Sequence, residues 1–86
     1  MEIPKVNYPL RTWFAENVRT YRTKMGVSQE DLALKAGFHR SYVSQVERKV
    51  ANVTIDNIAK IALALNVEPA KLLAMPEVPK SKDGID

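Results

Sequence analysis

Hydrophobic and polar positions follow each other along most of this chain with the period of an α-helix. Between residues 10 and 25 the apolar side chains are spaced four, four, three and four positions apart, which places them on one side of a helix. They are Leu10, Phe14, Val18, Tyr21 and Met25. Similar spacing recurs in four later stretches between residues 28 and 75. The pattern therefore predicts an all-α domain of five helices.

Local sequence signals mark both ends of a short helix, which begins at Ser28 and is about nine residues long. The Ser28 hydroxyl can accept the backbone N–H of Asp31, and the Asp31 carboxylate can reach back to the cap, as in a capping box. Leu32, Ala33 and Ala36 share one face. Gly37 follows, and glycine readily takes the left-handed conformation that ends a helix. The chain is expected to turn tightly there and to become helical again at residue 40.

The helix from residue 40 to 50 has two contrasting faces. Val43, Val46 and Val50, with Glu47 beside them, form the predicted inward side. The opposite side carries side-chain types that hydrogen-bond base edges and phosphates: Arg40, Ser41, Ser44, Gln45 and Arg48. An ordinary solvated amphipathic helix is the alternative interpretation. The preceding helix, the glycine turn and the polar composition together favour a helix-turn-helix DNA reader.

Residues 18–73 resemble the Cro/C1-type, or XRE, helix-turn-helix domains of phage repressors, restriction-modification controller proteins and small antitoxins. The resemblance rests on Arg22, SQEDLA at 28–33, AG at 36–37, RSYVSQVER at 40–48 and TIDNIAKIALALNV at 54–67. It implies a five-helix, lambda-repressor-like fold in which helices two and three form the motif. The loop after residue 48 departs from the family pattern, which usually has Gly at or next to the position of Lys49 and Pro at the position of Val53.

The resemblance also implies individual roles, which chemistry supports. The helix over residues 40–50 is called the reading helix below. Gln29 is expected to donate to a phosphate and to pack its amide against the start of this helix. Arg40 can span guanine O6 and N7, whereas Arg48 is expected at phosphate. The other predicted contacts come from Ser41, Ser44 and Gln45 on the same face, and from Tyr42 and Lys49 flanking it. Arg22 is expected to pair with Glu47, since a buried carboxylate without a partner is costly.

Two polar residues each have two alternative predicted roles, a contact with DNA or a local structural role. His39 precedes the reading helix and can contact phosphate or a base edge, or serve as a helix-end spacer. Asn52 lies in the loop 51–53 and can contact DNA or backbone. One His and zero Cys do not make an ordinary zinc site, and no Gly-rich phosphate loop is present. We therefore expect neither an enzyme nor a metal or cofactor.

Length and charge restrict the functional class. Eighty-six residues make one small domain without room for a separate effector domain. The net charge is +3, and residues 19–49 hold seven basic and three acidic side chains, hence +4, which suits a polyanion. No stretch of the sequence reaches the length of about 20 apolar residues that spans a bilayer. A signal peptide is not expected either. Absence of cysteine fits a reducing cytoplasm.

The chain is expected to divide into an N-terminal arm over residues 1–9, the helical domain over 10–75 and a flexible tail over 76–86. Thr54 is the expected N-cap of helix four, Asn66 its left-handed stop and Pro69 the start of helix five. The inward face of helix four is predicted to consist of Ile55, Ile58, Ala62 and Leu65. Ile61 and Leu63 then add apolar surface beyond that face, which suggests self-association.

Together these features predict a transcriptional regulator that binds double-stranded DNA. By resemblance, helices four and five form a two-fold homodimer, which places two reading helices about 34 Å apart on a short inverted repeat. No small-molecule effector is evident. A restriction-modification controller is the favoured context, with a phage-type repressor next. The alternative is an antitoxin-like protein-interaction module that autoregulates its operon.

Overall fold

Five helices and their short connections make up the part of the chain that the computed structural model describes, residues 9–76. They are α1 (Leu10–Met25), α2 (Gln29–Ala36), α3 (Arg40–Glu47), α4 (Ile55–Leu65) and α5 (Pro69–Leu73). The architecture is the predicted all-α, five-helix one. The predicted arm and tail lie outside the described residues, apart from Pro9 and Pro76. Within residues 9–76 there is no helix with the length and apolar character needed to cross a membrane.

Local sequence signals account for the helix boundaries. The Ser28 hydroxyl accepts the Asp31 N–H at 3.0 Å, and the Asp31 carboxylate accepts the Ser28 N–H at 3.3 Å, which completes the predicted capping box. The Thr54 hydroxyl likewise caps α4. Gly26 and Gly37 end α1 and α2 in the left-handed conformation, at φ of 78° and 82°, where a Cβ would be strained. Asn66 ends α4 in the same conformation, as predicted.

A single hydrophobic core lies where the five helices meet. Its largest fully buried side chains are Leu32, Ile61, Leu72, Val18, Val43 and Val46. Burying one such side chain contributes about 1.5–3 kcal/mol relative to leaving it exposed. α3 supplies Val43 and Val46 to this core, and α2 supplies Leu32 and Ala33. The valine side of α3 is therefore directed inward, which leaves its opposite side for other contacts.

The predicted stripe of α1 is wrong at both of its ends. Phe14 and Val18 are buried, but Leu10 and Met25 are 47% and 41% exposed. They are the first and last residues of a 16-residue helix, where a side chain has neighbours from its own helix on one side only. Asn17, which no apolar pattern marks, is buried instead. Its amide nitrogen donates to the carbonyl oxygens of Leu72 and Ala74 at 3.0 and 2.8 Å, so both of its hydrogens are accepted at the end of α5.

Three apolar positions further along also lie on the opposite side from the one predicted. Val50 is 62% exposed because α3 ends at Glu47 and the helical period stops there. The buried residue of the loop is Ala51. In α4 the inward stripe is Ile58, Ile61, Ala62 and Leu65, so Ile61 is buried whereas Ile55 is 82% exposed. The predicted inward positions Ala62 and Leu65 and the surplus apolar residue Leu63 are confirmed.

Candidate nucleic-acid interface

The helix after the turn, α3, presents an exposed polar face. α2 ends at Ala36, three residues form the turn, and α3 begins at Arg40. With Val43 and Val46 in the core, the opposite side of α3 carries Arg40, Ser41, Gln45 and Arg48, all exposed, and Ser44, half-buried. The structure thus brings the predicted base- and phosphate-contacting side chains of α3 to one open face. Their contacts with DNA remain predictions.

An ion pair behind this face joins α3 to α1. Arg22 Nε donates to Glu47 Oε2 at 2.6 Å and Arg22 Nη2 donates to Glu47 Oε1 at 3.0 Å, a two-point pairing of guanidinium and carboxylate. The Glu47 side chain is 3% exposed and that of Arg22 13%. The predicted partners therefore meet in a nearly water-free position, where each neutralises the other's charge. The pair fixes the C-terminal end of α3 against α1.

Neighbouring groups complete the network around this pair. Arg22 Nη1 donates to the Val27 carbonyl oxygen at 2.8 Å. The hydrogen bond with Glu47 raises the pKa of Arg22, outweighing the opposing effect of burial, so the guanidinium stays charged. Among the described residues, no buried side-chain nitrogen or oxygen lacks a hydrogen-bond partner. A fully satisfied buried network of this kind holds its members in one arrangement.

Gln29 takes part in the same network, which corrects its predicted packing. Gln29 Nε2 donates to Glu47 Oε1 at 3.0 Å. The amide therefore contacts the last residue of α3 rather than the start of the reading helix, because the first residue of α2 lies beside the end of α3. One hydrogen of the amide nitrogen remains, so the predicted donation to a phosphate stays a prediction.

His39 is the N-cap of α3. Its Nδ1 accepts the Ser41 backbone N–H at 3.1 Å and lies 3.0 Å from the Ser41 hydroxyl oxygen. Accepting this N–H requires an unprotonated Nδ1, so the neutral ring carries its hydrogen on Nε2. The helix-end role is thus present in the structure. The side chain is also exposed, so its predicted contact with DNA remains a separate expectation.

Tyr42 lies against the protein more than the prediction of a flanking backbone contact implies. Its ring is half-buried and packs on Phe38, with centroids 4.7 Å apart and planes inclined at 38°. The Tyr42 hydroxyl accepts a hydrogen bond from Asn57 Nδ2 at 3.1 Å. The pattern of α3 alone contains no signal for this partner, because Asn57 belongs to α4 and reaches α3 only in the folded chain.

The loop after α3 takes the form that glycine would favour, although it has lysine there. Lys49 has a φ of 69°, in the left-handed region, and the resembled family usually has Gly at or next to this position. Lys49 Nζ lies 3.3 Å from Glu16 Oε2. This ion pair is exposed, so a phosphate could take the place of the Glu16 carboxylate at little cost in free energy.

Asn52 Oδ1 accepts a hydrogen bond from Arg11 Nη2 at 3.2 Å. Arg11, an exposed cation that the motif does not include, is thereby added to this surface.

Metal-binding chemistry finds no support in the described portion of the chain, where no group of three or more His, Asp or Glu side chains could hold an ion. The face instead offers guanidinium, amide and hydroxyl donors on a helix that is held from behind by a buried ion pair. Such donors suit the edges of bases and the oxygens of phosphates. The arrangement can bind a polyanion with a defined groove.

Comparison with known proteins gives a consistent result. The helix-turn-helix family matches residues 18–72. A hypothetical transcription factor of Neisseria meningitidis serogroup B is 47% identical over 68 residues, 79% of this chain and 64% of that protein. The crystal structure of a hypothetical transcription factor from Neisseria has a TM-score of 0.77 and 41% identity, covering 88% of this chain and 90% of that one.

Restriction-modification controllers are also similar to this chain. Control protein C.SmaI of Serratia marcescens is 51% identical over 59 residues, which span 69% of this chain and 70% of that protein. The controller protein C.Esp1396I, solved as a tetramer with its natural 35-base-pair operator, has a TM-score of 0.68 and 32% identity. That match covers 73% of this chain and 83% of the other.

Proposed function

The chain belongs to the helix-turn-helix family, and on that premise we propose that it is a sequence-specific DNA-binding regulator of transcription. The observation that carries the proposal is the open polar face of α3, with Arg40 and Gln45 exposed while Val43 and Val46 are buried. Phosphate contacts supply affinity that falls with salt, and Arg40 with Gln45 supplies discrimination between bases. Such a protein is expected to act in the cytoplasm.

A dimer is the proposed binding unit. On the outer side of α4, Ile55, Ala59 and Leu63 recur at every fourth position and form an exposed apolar stripe, with Ile55 and Leu63 at 82% and 83% exposure. Ile55 also borders a groove of about 390 Å³ whose other apolar walls are Leu10, Phe14, Val53, Ile58 and Leu73. A second copy of the chain that places its α4 here would cover both features and relate two α3 helices by a two-fold axis.

Among the possible contexts we favour a restriction-modification controller. Control protein C.SmaI is named as such a protein, and C.Esp1396I is described as a tetramer on its operator. Dimers that fill adjacent operator sites cooperatively respond steeply to protein concentration. Regulation in this proposal therefore depends on how much of the protein has accumulated.

Selection of bound sequences from a random pool of DNA duplexes tests the proposal. It should enrich a two-fold symmetric site with half-sites about one helical turn apart. The affinity for the selected duplex should fall steeply as salt is raised, because bound phosphates release counterions. Lack of enrichment, or an enriched sequence without two-fold symmetry, would contradict the proposed mode of binding.

A further inference from the structure

The first turns of α3 and α4 are joined by one side-chain hydrogen bond. Asn57 Nδ2 donates to the Tyr42 hydroxyl at 3.1 Å, and both residues are half-buried. Tyr42 is the third residue of α3 and Asn57 the third residue of α4. α3 otherwise packs chiefly on α1 and α2. The hydrogen bond therefore ties the reading helix to a helix with which it shares little other contact.

Asn57 is well placed to serve as the fixed end of this link. Its backbone N–H donates to the Thr54 hydroxyl at 3.1 Å, which caps α4. Four residues further along the helix, Ile61 and its neighbour Ala62 are buried in the core. α4 is thus held both at its N-terminus and along its inner side, so the Asn57 amide presents a donor at a defined position.

Aromatic contacts next to the hydrogen bond support the same connection. The Phe38 ring packs on the Tyr42 ring with centroids 4.7 Å apart. Lys60 of α4 places its ammonium 5.7 Å from the centroid of Phe38, within the range of a cation–π interaction. Two residues of α4 therefore contact Phe38 and Tyr42 near the N-terminal end of α3, whereas the ion pair at Glu47 lies at its C-terminal end.

We infer that Asn57 is a positioning residue for base reading, which acts by holding the Tyr42 hydroxyl and so the orientation of the first turn of α3. This inference rests on the proposed DNA-binding function. The same turn carries Arg40 and Ser41, and a two-point contact of Arg40 with guanine tolerates only small shifts of the helix. Asn57 need not touch DNA, yet its loss would loosen the discrimination made by Arg40.

The competing explanation is a direct contact between Tyr42 and DNA. The Tyr42 hydroxyl accepts from Asn57 and keeps its own hydrogen, which it could donate to a phosphate or a base. The two explanations differ in one respect. If Tyr42 acts through Asn57, removal of either partner has the same effect, whereas a DNA contact of Tyr42 alone would not respond to the loss of Asn57.

A double-mutant cycle separates them. Tyr42→Phe, Asn57→Ala and the double variant are compared with the natural protein for affinity to the selected duplex and to a scrambled duplex. Each single variant should lose roughly three- to tenfold in the ratio of the two affinities, about the effect of one hydrogen bond. The double variant should lose no more than either single one. Sequences selected by Asn57→Ala should be relaxed at the base positions next to Arg40.

Two controls distinguish positioning from a general loss of stability. Asn57→Asp can accept from the Tyr42 hydroxyl instead of donating to it, and should recover discrimination that Asn57→Ala lacks. Thr20→Ala, at an exposed residue of the groove between α1 and α5, should leave both affinities unchanged. The melting temperature of each variant is measured alongside, because a merely structural role would lower it without changing the ratio of affinities.

The outcomes are separable. Additive losses, or a loss with Tyr42→Phe and none with Asn57→Ala, would overturn the inference while leaving the proposed function intact. The same holds if Asn57→Ala lowers the melting temperature but keeps the ratio of affinities. If the natural protein itself binds no DNA duplex, the proposed function fails, and the inference fails with it.

Discussion

Two exposed helix faces of this small domain differ in their chemistry. The outer face of α3 is polar, with Arg40, Gln45 and Arg48 open to solvent. The outer face of α4 is apolar, with Ile55 and Leu63 more than 80% exposed. Water solvates the first face well but the second face poorly. The difference supports the proposal that the first face binds a charged partner and that the second is covered by a second copy of the chain.

The support behind the two faces differs as well. α4 is held by apolar packing through Ile61, Ala62 and Leu65. α3 is held by two buried valines and also by the Arg22–Glu47 ion pair, which has defined distances and directions. Apolar packing can adjust to a new neighbour, whereas a two-point ion pair permits few orientations. A helix that reads bases needs the second kind of support more than a helix that forms a dimer.

The largest effect is expected from a charge in the apolar stripe of α4. Leu63→Glu would bring like charges together across a two-fold interface, which costs several kcal/mol. Sedimentation should then show only monomers, whereas the natural protein at the same concentration is expected to sediment as a dimer. Leu34→Glu is the matched control, since Leu34 on α2 is 81% exposed and outside the stripe. A dimer that survives Leu63→Glu would exclude α4 as the interface.

The support of α3 is tested by Glu47→Ala. The substitution leaves the Arg22 guanidinium mostly buried without its partner, and unfolding free energy should fall by roughly 3 kcal/mol. Glu16→Ala is the control, because it removes only the exposed pair with Lys49 and should change stability by less than about 0.5 kcal/mol. Chemical denaturation measures both. Equal stability of the two variants would mean that the buried pair does not hold α3.

A smaller change, this time an increase in stability, is expected from a substitution in the loop between α3 and α4. Lys49 adopts a left-handed conformation, which costs a residue with a side chain about 1–2 kcal/mol. Lys49→Gly should therefore raise the melting temperature, by an amount equivalent to about 1 kcal/mol. Lys49→Ala loses the same contact with Glu16 but keeps the strain, so it should give no increase. An increase with alanine equal to that with glycine would refute the strain argument.

Those parts of the fold that depend on neighbouring residues were predictable from sequence. Capping of α2 by Ser28 and Asp31, and the left-handed ends at Gly37 and Asn66, involve residues within four positions of one another. The buried Val43 and Val46 follow from the period of a single helix. The resemblance to a family added the pairing of Arg22 with Glu47, which lie 25 positions apart.

The rest depends on where other helices lie. Leu10, Met25 and Val50 have the spacing of buried residues, but each is at or beyond a helix end and stays 41–62% exposed. Asn17 is buried because carbonyl oxygens 55 and 57 positions away accept its hydrogens. The face assignment of Ile55 and Ile61 was wrong for the same reason, since α4 is apolar on more than one side and period alone does not select the inner one.

The central claim is that the polar face of α3 reads DNA, and the base preference of Arg40→Ala tests it most directly. Affinities for the selected duplex and for its single-base variants are compared with those of Arg48→Ala and of Lys71→Ala, a charge-matched control at the groove between α1 and α5. Arg40→Ala should relax one base position per half-site by roughly 1–3 kcal/mol, whereas Arg48→Ala should weaken all duplexes alike. An Arg40→Ala variant with unchanged base preference would contradict the claim.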